Sequence, residues 1–224
     1  MSSAMQSLSV EDRARLSLGA SGDAIYRMVA RLLPRGGPRA GVLVDVGCGG
    51  GRLWPFVQDR FARCVGVDAV RYESLPAGVE FVRHDLDAPG VPLPPSEADV
   101  VVAVETIEHL ENPWSFVREL ARLARPGGIV IVTTPNQQSL LSLATLVTKG
   151  AFNAFQDSSW PAHRTALLGG DLRRVMSEAG LVDLQLAYSL EGRMPFTGGH
   201  WPSMFSHLLP RACSDNVAIV GRVP

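Results

Sequence analysis

Apolar and β-branched residues gather along this chain in short runs, each closed by a turn signal. They are "GVLVDVG" from Gly41, "RCVGVDAV" from Arg63, "VEFVRHD" from Val79, "ADVVVAVE" from Ala98, "GIVIVTTP" from Gly128 and "NVAIVGRV" from Asn216. Runs of this length and content read as strands. They show little alternation between apolar and polar positions, which places apolar partners on both faces and so predicts a parallel sheet. Between the runs the spacing turns helical. Pro113 to Arg125 carries Trp114, Phe116, Val117, Leu120 and Leu123 on one side, and Asp171 to Ala179 precedes Gly180. The alternation predicts an α/β fold, doubly wound, with helices on both faces of a mostly parallel sheet.

Three segments stand outside this alternation. The chain up to about Arg35 reads as helical and ends in "PRGGP", a hinge before the first strand. From Asn136 to His163 the pattern loosens, with only Lys149 and Asp157 charged, and it reads as an insertion over the sheet edge. "RMPFTGGHWPSMFSHLLP", from Arg193, shares its aromatic, apolar character. We expect one domain over residues 1–224, with 1–38 a helical cap and 136–165 and 191–212 lid segments around an acceptor pocket.

Composition narrows the function classes. A chain of 224 residues with 46% hydrophobic content can bury one sizeable core. Its formal net charge of −1 supplies no long-range field for a polyanion, which argues against a nucleic-acid partner. Cys48, Cys64 and Cys213 are widely spaced and include no C-x-x-C pair, a usage that fits a reducing cytoplasmic compartment. The start, "MSSAMQSLSVEDRARL", lacks the pattern of a secretory signal, and the charge-poor stretch from Pro126 breaks at "PNQQS". No stable membrane insertion is expected, although lipid association through Leu140 to Val147 is open.

The first strand runs into "DVGCGGGR". Glycines 47, 49 and 51 let backbone approach a ligand closely and aim amide N–H groups at it. The dinucleotide fingerprint G-x-G-x-x-G fails in both registers, since its last position falls on Arg52 or Trp54. What stands here is D-x-G-x-G-x-G, whose Asp45 carboxylate suits an ammonium group better than a diphosphate. Asp68 closes the second strand and Asp85 the third, so three successive strand ends carry acids or glycines on the carboxyl edge. That edge is where open α/β sheets bind ligands.

"VLVDVGCGGGRL", "GVDAV", "HDLD", "VVAVETIEHLENP", "LARPGGIVIVTTPN" and "LRRVMSEAGL" resemble, in order and spacing, the class I S-adenosylmethionine-dependent methyltransferases. Within that class the chain is most similar to ubiquinone-biosynthesis-type O-methyltransferases and small bacterial metabolite methyltransferases. The resemblance implies a seven-stranded Rossmann-like sheet whose final strand inserts antiparallel. It implies S-adenosyl-L-methionine as cofactor, held by Asp45, Gly47, Gly49 and Gly51 at its methionine half. Asp68 would meet the ribose, Asp85 and the Leu86 backbone the adenine, and Glu105 the sulfonium end.

"ETIEHLENP", from Glu105, carries the remaining chemistry. In a helical turn Glu105, Glu108 and His109 would share one face, at i, i+3 and i+4. Transfer to a hydroxyl needs a base, and His109, His163, His200 and His207 are the histidines considered, with His109 and His163 best placed. Glu105, Glu108, His109 and His163 could instead bind a divalent metal. Small-RNA 3′-terminal 2′-O-methyltransferases carry a similar E-x-x-E-H with a distant histidine, but their histidine-rich segment is reduced here to "AHRT". The preferred reading is metal-free O-methylation of a partly apolar small molecule. The alternatives are a metal-assisted RNA 2′-O-methyltransferase and a non-catalytic cofactor-binding regulator.

Overall fold

The computed structural model describes residues 21–33 and 40–224. Residues 1–20 and 34–38 of the expected N-terminal cap lie outside the described residues. Helix α1 (Asp23–Leu32) falls within it and buries Ile25, Tyr26, Met28 and Val29. Among the described residues seven strands form one sheet: β1 (Val42–Val46), β2 (Arg63–Asp68), β3 (Glu80–Arg83), β4 (Ala98–Ala103), β5 (Ala124–Pro135), β6 (Val182–Tyr188) and β7 (Asn216–Arg222). Their order is β3-β2-β1-β4-β5-β7-β6, with β1 to β5 parallel and β7 antiparallel to both of its neighbours.

The predicted mostly parallel, doubly wound α/β sheet is the observed one, and the packing shows why the strand runs are continuously apolar. Val44, Val46, Val101, Ala103, Val130 and Val132 face one core, with helices α3 (Pro113–Leu123) and α5 (Gly169–Glu178). Leu43, Cys64, Val100, Val102 and Ile131 face the other, where α1 and the short α2 (Trp54–Val57) cover them. Both sides of each central strand are thus removed from water.

The strand order reverses direction at β1/β4, so the crevice for a ligand lies above their carboxyl ends. Local signals set the elements around it. Asn112 caps α3 by accepting the Ser115 N–H, and Pro113 opens the helix where no donor is needed. Within the expected insertion, helix α4 (Leu140–Lys149) starts at the Ser139 cap and stops at Gly150, whose φ is 77°. A further short helix, α6 (Ser203–Leu208), lies in the second expected lid segment.

β6 is the strand that the apolar runs did not show. It is an edge strand with no fully buried residue, so Val182, Leu184 and Leu186 alternate with Asp183 and Gln185. Period two, rather than a continuous run, is its signature.

Candidate active site

A cavity of ≈ 290 Å³ opens above the carboxyl ends of β1, β2 and β4, close to the size of a small-molecule site. The glycine turn forms its floor. Gly47 donates its N–H to Val67 O at 2.7 Å and adopts φ 84°. A Cβ there would fall 2.3 Å from the Thr106 hydroxyl, so the backbone passes through space that only glycine leaves open. Gly49 (φ 49°) donates to Asp68 Oδ2 at 2.9 Å, and Gly51 (φ 73°) turns the chain toward α2.

Five of the expected cofactor residues line the cavity with Gly47: Asp45, Asp68, Asp85, Leu86 and Glu105. Gly49 and Gly51 do not line it; they shape the turn behind. Asp45 is 6% exposed and its Oδ1 has no hydrogen-bond partner among the described residues. Burial, with the neighbouring Asp68 charge, pushes its carboxyl up to about 7. Asp68 is also raised by burial, against the lowering effect of the Gly49 and Val70 amides it accepts. Asp85 takes the Asp87 N–H in a local turn.

Glu105 departs from the expected geometry. It adopts φ 50°, and the turn after it is a single 3₁₀ turn, Ile107–His109. That left-handed residue prevents the i, i+3, i+4 arrangement of Glu105 with Glu108 and His109. Its carboxylate is instead held at the tips of β5 and β7: Thr133 donates to Oε1 at 2.8 Å and Asn216 to Oε2 at 2.7 Å. Burial and the nearby Glu108 carboxyl hold Glu105 well above the usual range.

Glu108, His109 and His163 do come together. One ligand atom from each lies within 4.8 Å of the others, and Glu105 is not part of the group. The imidazoles meet edge to face at 4.8 Å between ring centres. His109 Nδ1 lies 2.7 Å from Ala162 O and His163 Nδ1 lies 2.6 Å from Ala154 O. A carbonyl only accepts, so each Nδ1 carries a proton. Burial holds both imidazoles below the ordinary histidine range. Glu108 is 1% exposed, its carboxyl is pushed up to about 8 by burial, and its Oε2 has no partner. The Glu108 carbonyl accepts from Arg164 and Thr165, tying the 3₁₀ turn to the segment that carries His163.

His200 and His207 lie elsewhere, exposed, with His207 bonded to Ser203 on α6. Of the two expected lid segments, 136–165 contributes Pro161, Ala162 and His163 to the cavity, whereas 191–212 contributes no lining residue. Ser21, Ile25 and Tyr26 line it from the α1 side, which the chain pattern gave no reason to expect. The lining includes Asp45, Asp68, Asp85, Asp87, Glu105 and Glu108 and, among the described residues, no lysine or arginine.

A ligand crevice at the reversal point of an open α/β sheet, floored by a glycine turn, defines a nucleotide- or cofactor-binding protein of the Rossmann-like kind. Comparison with known proteins narrows this: the methyltransferase domain family model matches residues 20–186. The chain belongs to that family of S-adenosylmethionine-dependent methyltransferases. It is 29% identical over 148 residues to a ubiquinone biosynthesis O-methyltransferase of Aeromonas salmonicida, covering 62% of each chain. It is 33% identical over 103 residues to the Stutzerimonas stutzeri protein of the same name, covering 42% of this chain and 44% of that one. The matched stretches thus span less than two thirds of either relative. In fold it is similar to an S-adenosylmethionine-dependent methyltransferase from Archaeoglobus fulgidus, with TM-score 0.66, 17% identity and coverage of 92% and 96%.

Proposed function

We propose that this chain transfers a methyl group from S-adenosylmethionine to a hydroxyl of a neutral, partly apolar small molecule. The observation that carries the reading is the facing pair of imidazoles, His109 and His163, both lining the cavity and each anchored through Nδ1. When bound, the cofactor supplies a methyl group on an already electrophilic sulfonium, so the protein's task is orientation, exclusion of water and removal of the acceptor's proton.

The buried, unpartnered Asp45 Oδ1, lining the cavity beside Gly47, fits an ammonium-bearing ligand. We assign Asp45 and Gly47 to the methionine half, with Gly49 and Gly51 shaping the turn behind them, Asp68 to the ribose, and Asp85 with Leu86 to the adenine. Glu105, fixed by Thr133 and Asn216, borders the reacting end. Among the described residues the lining offers no lysine or arginine to meet an anionic acceptor such as an RNA end. The three buried, unpaired thiols Cys48, Cys64 and Cys213 suit a reducing, cytoplasmic setting.

A second reading is favoured by the convergence of three donors: Glu108, His109 and His163 would hold a divalent cation. The Nδ1-to-carbonyl bonds are the outer supports that histidine ligands use, and the free Glu108 Oε2 completes the set. Labelled S-adenosylmethionine with matched pairs of neutral and carboxylated phenols, assayed with and without chelator, tests both. Transfer to the neutral members supports the reading, and cofactor binding without transfer to any acceptor overturns it. Loss of transfer with chelator, restored by magnesium, manganese or zinc, selects the metal-assisted form.

A further inference from the structure

Helix α4 is inside out. Its buried residues are Ser142 and Thr145, while Leu140, Leu143, Leu146 and Val147 are exposed, Val147 to 85%. The same inversion recurs in α6, which buries Ser206 and exposes Met204 (68%), Phe205 and Leu208 (72%). A helix ordinarily turns its apolar stripe to the core. Here hydrogen bonds hold the polar sides inward. Ser142 donates to Gln137 Oε1 and accepts the Asn153 N–H, Thr145 donates to Leu141 O, and Ser206 donates to Cys213 O.

The two helices also belong to one surface. The Leu140 N–H donates to Ala212 O, and Asn136 Nδ2 donates to both Arg211 O and Ser214 O, binding the start of α4 to the segment after α6. Trp160, 58% exposed, directly precedes Pro161, Ala162 and His163 of the cavity wall.

Charge identifies the occupant. Residues 136–156 and 192–214 contain Lys149, Arg193 and Arg211 and no aspartate or glutamate. Arg193 is paired with Asp215, but Lys149 and Arg211 are exposed and have no ion pair with a described residue. Of the carboxylates that border these segments, Glu191 is paired with Arg27 and Asp215 with Arg193, and Asp157 is the third. Exposed apolar side chains on segments whose own charges are all cationic match the boundary of an anionic lipid leaflet. At ten and six residues the helices can lie in that boundary, and no helix among the described residues is long and apolar enough to cross a membrane. We propose that the α4/α6 face seats on the surface of an anionic phospholipid bilayer. The proposal concerns binding and does not depend on the acceptor assigned above.

Flotation of the chain with phosphatidylcholine vesicles and with phosphatidylcholine–phosphatidylglycerol vesicles tests it. We expect flotation with the mixed vesicles, weaker flotation with the neutral ones, and at least about a tenfold loss of partition for Val147→Asp/Leu208→Asp. Both side chains project into solvent, so melting temperature and S-adenosylmethionine affinity should stay at the wild-type values. Lys149→Glu/Arg211→Glu should abolish the preference for the anionic vesicles while leaving the neutral ones unaffected. The proposal is overturned by absence of flotation, by equal flotation of the apolar double variant, or by an unchanged lipid preference in the charge variant. Light scattering that shows a dimer dissociated by Val147→Asp/Leu208→Asp would also overturn it, assigning the face to a second copy.

Discussion

Asn216 donates its side-chain amide to Glu105 Oε2 at 2.7 Å, joining the first residue of the antiparallel strand β7 to a residue 111 positions earlier. With Thr133 on the other oxygen, the carboxylate is fixed from both sides. The insertion of β7 beside β5 therefore does more than complete the sheet: it delivers a donor to Glu105 in the cavity wall.

Replacing Asn216 with Ala leaves Glu105 Oε2 without its partner. The expected cost is about 1–3 kcal/mol of stability, the usual penalty for stranding a buried acceptor. S-adenosylmethionine affinity should fall as well, because the carboxylate loses one of its two restraints. Chemical denaturation and calorimetry check the two effects separately. Wild-type affinity in the variant would remove Glu105 from the cofactor site.

His109→Ala and His163→Ala should each lower kcat by about 10²- to 10⁴-fold, the range of a lost general base. S-adenosylmethionine affinity should change far less, since neither imidazole is assigned to the cofactor. Because the rings touch and act as a unit, the double variant should be little worse than the slower single one. Multiplicative losses would mean the two histidines act independently.

Much of this site was legible before folding because strand ends are fixed by the run of apolar residues that precedes them. Asp45, Gly47 and Asp68 follow directly from where β1 and β2 stop, whereas E-x-x-E-H with a distant histidine left open whether His163 meets His109. Three things were not legible. The φ of 50° at Glu105 depends on the pull of Thr133 and Asn216, which come from strands far along the chain. Segment 191–212 supplies no lining residue to this cavity, and apolar, sparsely charged segments look alike whether they line a pocket or face outward. Period two in β6 was hidden by its partial exposure at the sheet edge.

Gly47→Ala should disable the cofactor site while leaving the sheet in place. The new Cβ meets the Thr106 Oγ1 at 2.3 Å and Cγ2 at 2.6 Å, and the residue must also hold φ 84°. The backbone conformation alone costs about 1–2 kcal/mol for a side-chain-bearing residue. Adding Thr106→Gly removes the steric clash but not the backbone strain, so the double variant should recover only part of the lost stability and affinity. Thermal unfolding with and without S-adenosylmethionine measures both, and full recovery would show that φ is not limiting there.

The Asp45 carboxyl gives the site a pH dependence whose sign can be worked out. Its pKa rises from 3.8 to about 7 on folding, through burial and the Asp68 charge. Between those values the folded state holds a proton that the unfolded state has released. The associated stability is therefore fully present below pH 3.8 and is lost as pH rises through about 7. Wild type minus Asp45→Asn, compared at each pH, should show this decline, because the amide cannot titrate and the other groups cancel in the difference. Binding of the cofactor's ammonium runs the opposite way, since only the ionised carboxylate attracts it. Affinity should fall as pH drops below 7, approaching about tenfold per pH unit, and Asp45→Asn should bind more weakly at pH 8 with a flatter profile. Calorimetry across pH 5.5 to 8 reads this directly. A wild-type affinity that stays level over that range would detach Asp45 from the ammonium.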